Sequence, residues 1–133
     1  MTEAEKFGSL VESSERILIT SHISPDPDAV CSVLLLGRTL QKNFPDKKIQ
    51  MTLEEITSQD LSFLSGYSEI EFGPIIEKVK LFKPDLLISV DAAGMQRLSR
   101  NDGQVLSDLI YDQFKSKVVI IDHHPKDASV EAN

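Results

Sequence analysis

The sequence predicts an α/β fold, a mainly parallel, doubly wound sheet with helices on both faces, and two observations predict it. Strand-like and helix-like segments alternate from end to end. The segments 16–20, 84–90 and 117–121 are apolar along nearly their whole length, as parallel strands covered on both faces are. Linkers are short and no shift in composition marks a boundary, so residues 1–133 are expected to form one domain.

The elements follow in order. Residues 3–14 can form an amphipathic opening helix, with Phe7, Leu10 and Val11 at i, i+3 and i+4. Arg16-Ile17-Leu18-Ile19-Thr20 reads as a short buried strand that stops at Ser21-His22-Ile23-Ser24-Pro25-Asp26-Pro27-Asp28, where the prolines let neither regular element continue. From Ala29 to about Lys42 the pattern is helical, with Val30, Val33, Leu34, Leu36 and Leu40 mostly on one side and Asp28 placed as an N-cap. Lys48–Leu53 alternates polar and apolar residues, which suggests a strand nearer an edge. A short helix is expected over 57–65, a short strand over 69–72, and a helix whose first residue is Pro74 reaching about Phe82. Pro84–Val90 is a buried strand ending on Asp91; a helix near 103–115 precedes Lys117–Ile121, which ends on Asp122-His123-His124-Pro125.

Composition narrows the function. No apolar run approaches the roughly 18–20 residues that cross a bilayer, and the opening Met1-Thr2-Glu3-Ala4-Glu5 is acidic where a signal peptide is basic. One cysteine leaves no internal disulfide framework, which fits a reducing cytoplasm, the expected location. Fourteen Lys and Arg against 21 Asp and Glu give a net charge of −7. A broad non-specific grip on nucleic acid needs the opposite sign. Bound cations can invert the local field, so a metal-dependent phosphate enzyme is compatible with this charge.

The chemistry gathers where the apolar strands stop. The first is followed by His22, Asp26 and Asp28, the second by Asp91, the third by Asp122, His123 and His124. In an open parallel sheet ligands bind beyond the carboxyl ends of the strands, so these clusters are expected to converge on one edge. Carboxylates with imidazoles suit Mn²⁺, Fe²⁺, Co²⁺ or Zn²⁺ better than Ca²⁺, and several carboxylates in one small place repel one another unless cations compensate. Two ions about 3.5–4 Å apart can share a bridging carboxylate and clamp a phosphate. Asp91, alone at its strand end, is the expected bridge.

Each cluster also has a plainer reading. Asp-Pro-Asp in a loop is ordinary turn chemistry, and Asp91 before Ala92-Ala93-Gly94 could cap a helix. Adjacent histidines with an Asp and a Pro have no common structural use. Together at strand ends, the three favour a metal site.

These residues resemble the DHH phosphoesterase family, which has RecJ-like and nanoRNA/pAp phosphatase-like members. His22-Ile23-Ser24-Pro25-Asp26-Pro27-Asp28-Ala29 is similar to its first motif, Val90-Asp91 to its second, and Asp122-His123-His124 to the third, which names the family; the likeness spans residues 16–125. Arg97-Leu98 falls where many members carry Arg beside an aliphatic residue. The resemblance implies that His22 and Asp26 hold one Mn²⁺, that Asp28 and His123 hold a second, and that Asp91 bridges them. It implies that Asp122 orients an imidazole, that His124 and Arg97 meet the substrate phosphate, and that a hydroxide between the two ions is the nucleophile.

Two departures stand out. Cys31-Ser32 replaces the usual Gly-Ser, read as a small buried thiol on a helix with little catalytic consequence. The family's fourth motif, with a further metal-binding Asp, and its separate substrate-binding domain have no counterpart before Asn133; Asp127 and Glu131 read as tail. The chain is therefore expected to be the amino-terminal catalytic domain of a longer protein, or a truncation of one. The expected activity is hydrolysis of a phosphoester in a small nucleotide or short oligonucleotide, without a membrane partner. The competing reading is a metal- or nucleotide-binding module with a regulatory role and impaired turnover. A RecJ-type nuclease would instead bind single strands in a salt-sensitive way, and a pyrophosphatase fits the first motif less well. A sheet edge left open where the chain ends could pair with a second copy, making a homo-oligomer possible.

Overall fold

The opening Thr2-Glu3-Ala4-Glu5 is a capping box: Glu5 N–H donates to Thr2 Oγ1 at 3.1 Å and Thr2 N–H donates back to Glu5 Oε1 at 2.9 Å. It starts α1 (Glu3–Ser13) in a computed structural model that describes residues 2–57, 59–92, 94, 97–100, 103–121 and 129–131. The strands are β1 (Arg16–Thr20), β2 (Lys48–Leu53), β3 (Ile70–Phe72), β4 (Leu86–Val90), β5 (Lys117–Ile121) and β6 (Ser129–Glu131). The helices after α1 are α2 (Pro27–Asn43), α3 (Ile75–Phe82) and α4 (Gly103–Ser107), the last running into a π-helical turn over Asp108–Gln113.

The six strands form one sheet in the order β3-β2-β1-β4-β5-β6, parallel except where β6 runs antiparallel to β5. Apolar strands with period-2 side chains must find cover on both faces, and they do. Ile17, Ile19, Leu86, Ile88 and Val119 pack with Val11 of α1 and Val30, Val33 and Leu40 of α2. The intervening Leu18, Leu87 and Val118 pack on the other face with Ile75 and Val79 of α3 and with Leu106, Leu109 and Ile110. The doubly wound α/β architecture expected from the sequence is the one observed.

Several local expectations are corrected. Asp26, not Asp28, caps α2: its Oδ1 accepts from Ala29 N–H at 2.8 Å, and Pro27 takes the first helical position. Pro74 stands one place before α3, and Glu54 Oε1 supplies the cap by accepting from Ile75 N–H at 2.9 Å. The described residues of 57–65 form turns instead of a helix. Asp60 Oδ1 accepts from both the N–H and the hydroxyl of Ser62, at 3.0 and 2.6 Å, a local bond that competes with helix formation. Glu131, read as tail, lies in β6, which covers the edge of β5 that the sequence left open.

The amino-terminal edge of the sheet is fastened by Asp85. Its carboxylate accepts from Glu15 N–H and Arg16 N–H, both at 2.9 Å, and its carbonyl accepts from Lys117 N–H at 2.9 Å. Beside it the buried Ser116 hydroxyl donates to Pro84 O at 2.6 Å. Three neighbouring strands, β4, β1 and β5, are thereby joined where they begin.

Candidate metal centre

β1 and β4 lie side by side at the centre of the sheet, where the strand order switches direction, so the chains leaving their carboxyl ends part and open a crevice. Ser21 fixes the two exits to each other by donating from Oγ to Val90 O at 2.6 Å. The next residue on each chain is a metal-type ligand, His22 after one and Asp91 after the other.

His22, Asp26 and Asp91 each offer a ligand atom, and the three atoms lie within 4.8 Å of one another. His22 Nε2 stands 3.5 Å from Asp91 Oδ2 and 3.8 Å from Asp26 Oδ1. The His22 and Asp91 side chains are 12% and 9% exposed, while Asp26 is 56% exposed and forms the open side. His22 Nδ1 lies 2.6 Å from Ile23 O, and a carbonyl can only accept, so Nδ1 carries a proton and donates it. In the tautomer this selects, Nε2 directs a lone pair towards two carboxylates. Three acceptors converging in this way suit a cation, and the backbone bond at Nδ1 is the usual device for aiming a metal-bound imidazole. The donor set fits a divalent transition ion better than Ca²⁺.

Asp91 has φ +58°, a left-handed conformation that Asp tolerates better than most residues, and its N–H donates to Ile121 O at 2.7 Å. It therefore leaves its strand at a bend, with its Oδ2 3.5 Å from His22 Nε2. Asp26 keeps acceptor capacity beyond the one oxygen bonded to Ala29 N–H.

Other expected residues are placed more widely. Asp28 is exposed on the first turn of α2 and lines a cleft with Cys31, Ser32, Leu35 and Asp91, beside the three-residue group. Cys31 is exposed on that cleft, which corrects its reading as a buried thiol. Arg97 is exposed, and its carbonyl accepts from Ile23 N–H at 2.6 Å. Asp122, His123 and His124 lie outside the described residues.

Residues 16–133 match the profile of the DHH family, N-terminal domain. The chain belongs to the DHH family. This DHH chain is 27% identical over 125 residues to the probable bifunctional oligoribonuclease and PAP phosphatase NrnA of Streptococcus mutans, covering 94% of the chain and 34% of that protein. It is 29% identical over 121 residues to the bifunctional oligoribonuclease and PAP phosphatase NrnA of Mycoplasma pneumoniae, covering 90% and 33%. The chain thus spans about a third of the length of these curated relatives. An exopolyphosphatase-related protein from Bacteroides fragilis, known from a crystal structure, shares the fold with a TM-score of 0.72 at 21% identity, over 94% of this chain and 37% of that one.

Motif reading of this DHH domain passes over a second group beside the site, Ser24, Glu55 and Arg100. Ser24 N–H donates to Glu55 Oε1 at 2.6 Å, Arg100 Nη2 donates to Ser24 Oγ at 2.7 Å, and Arg100 and Glu55 form a close ion pair. The hydrogen bond from Arg100, then that from Ser24 N–H, holds the Glu55 carboxyl below its usual range. One signal in the sequence points to Glu55: it follows the carboxyl end of β2 by two residues, on the edge where the ligands gather.

Proposed function

We propose that residues 1–133 form the catalytic domain of a metal-dependent phosphoesterase that hydrolyses a small nucleotide or short oligonucleotide. The observation that carries this reading is the convergence of His22, Asp26 and Asp91 at the switch point of the sheet. The substrate class is supported by the relatives named as oligoribonucleases and PAP phosphatases.

His22 and Asp26 would hold one ion, Asp28 and His123 a second, and Asp91 would touch both. Mn²⁺ is the preferred ion, in keeping with the mixed imidazole and carboxylate donors. Divalent ions bound there would lower the pKa of a coordinated water and offset the charge of the phosphate. His22 serves by keeping its Nδ1 proton on Ile23 O, so that Nε2 stays available. Asp122 would orient a neighbouring imidazole, and His124 with Arg97 would bind the phosphate oxygens. The amino-terminal end of α2, a 17-residue helix, adds a partial positive charge on the same edge.

The test pairs Mn²⁺ titration calorimetry with phosphate release from pAp and from a short oligoribonucleotide. Two ions per chain and Mn²⁺-dependent release, both lost in Asp91→Asn, are expected. Ion binding without turnover would favour the regulatory module. Equal turnover in the variant would overturn the site assignment.

A further inference from the structure

The loop from Ser21 to Asp26 carries two of the three grouped ligands but belongs to no regular element. Ser24, near its middle, has φ +51°, a left-handed conformation that is uncommon outside Gly, Asn and Asp and that neighbouring contacts must stabilise. The surroundings here come from two other loops on the same edge of the sheet. Glu55, just beyond β2, accepts from Ser24 N–H; Arg100, on the segment after β4, donates to Ser24 Oγ and pairs with Glu55. One residue earlier, Ile23 is held on both sides. Its N–H donates to Arg97 O, and its carbonyl accepts the Nδ1 proton of His22.

From these contacts we infer that Glu55 and Arg100 are positioning residues, which lock Ser24 in its left-handed conformation and so keep His22 and Asp26 at the spacing an ion requires. The inference rests on the reading of His22, Asp26 and Asp91 as ion ligands. Neither residue is among the three grouped ligands. Their action runs through the backbone: without Glu55 the Ser24 peptide loses its acceptor, and without Arg100 both Glu55 and the Ser24 hydroxyl lose their common donor. The loop then relaxes towards ordinary φ values, and the ligand geometry present before the ion arrives is lost. Partners that orient metal ligands typically alter affinity by about 10–100-fold when removed.

The experiment is Mn²⁺ titration calorimetry on the 133-residue chain and on Glu55→Ala, Arg100→Ala and Glu55→Gln, with thermal unfolding of each in the absence of metal. Both alanine variants should bind Mn²⁺ about tenfold or more weakly while their metal-free unfolding stays within a few degrees of the parent. Glu55→Gln, which keeps an acceptor for Ser24 N–H, should recover part of the affinity. A variant carrying both Glu55→Ala and Arg100→Ala, titrated beside them, should be no weaker than the worse single one, because the two side chains hold the same residue. Parent-like affinity in both alanine variants would overturn the inference and leave the ion site standing. A loss of affinity matched by an equal loss of metal-free stability would also overturn it, by showing a general structural role. Failure of the parent itself to bind Mn²⁺ would remove the proposed site, and the positioning role with it.

Discussion

The Ser21 hydroxyl donates to the carbonyl oxygen of Val90 at 2.6 Å, joining the ends of two strands separated by 69 positions in the chain. The bond is buried, and it sits between the residues that lead to His22 and Asp91. Ser21→Ala removes the donor and leaves a carbonyl deprived of a partner in a place water does not reach. A loss of about 1–3 kcal/mol is expected, read by urea unfolding as a lower midpoint with an unchanged slope.

Position 91 should separate backbone needs from ligand chemistry. Asp91→Asn preserves a side chain that tolerates φ +58° while removing the charge; Asp91→Ala removes both. In the metal-free state the Asn variant should unfold close to the parent and the Ala variant about 1 kcal/mol less stably. Added Mn²⁺ at about 100 times its dissociation constant should stabilise the parent by about 2.7 kcal/mol and neither variant comparably. A parent-like Mn²⁺ shift in Asp91→Asn would show that this carboxylate holds no ion.

The Glu55–Arg100 pair predicts a pH dependence of definite sign. The Arg100 hydrogen bond, then Ser24 N–H, lowers the folded carboxyl below its ordinary value, and Glu55 in turn raises Arg100, with Glu54 adding to that field. A depressed folded value means that the stabilisation is complete above the ordinary Glu range near about pH 4.3 and is lost as pH falls through the lowered folded value. The difference in unfolding temperature between parent and Glu55→Gln should be constant near neutrality and disappear in strong acid. It should remain small throughout, since solvent screens an exposed pair.

Gly37 tests how closely α2 lies on the sheet. A Cβ at this position would stand 2.6 Å from Met51 Cγ, and Met51 on β2 is only 1% exposed. Gly37→Ala gains helix propensity on an isolated helix but here forces a buried side chain to move. A net cost of about 1–3 kcal/mol is expected, seen in thermal unfolding without loss of Mn²⁺ affinity.

Much of the fold and of the site is legible in the sequence. Ile17, Leu18 and Ile19 are all apolar because alternate residues face different helix layers, and that continuity identifies a sheet covered on both sides. The strand ends then place His22, Asp26 and Asp91 on one edge by topology alone. Less legible were features decided by single side chains. Asp26 and Asp28 are equally good caps by composition, and the choice of Asp26 depends on Pro27 filling the first helical position. The apolar residues of 57–65 suggest a helix, but Asp60 bonds Ser62 locally and Leu61 turns into the core. β6 has only three residues, and its pairing with β5 supplies what its own sequence does not. Ser24, Glu55 and Arg100 escape a motif search because no spacing relates them; only the meeting of three loops does.

The Asp85 clasp has a consequence for how the chain tolerates change. At one end of the sheet a single exposed carboxylate binds two backbone N–H groups, and the neighbouring Ser116 hydroxyl bonds a carbonyl in the interior. At the other end His22 and two carboxylates turn their acceptors towards a common point. The molecule has two poles, one built for cohesion and one for chemistry, with the length of a five-residue strand between them. A saturation scan scored separately for abundance and for ion binding should divide along that axis. Abundance would depend most on the Asp85 end, and binding on the His22 end. Substitutions that alter affinity while sparing the fold should gather beyond the carboxyl ends of the strands, and this is the region in which the chain could change its ligand without relearning how to fold.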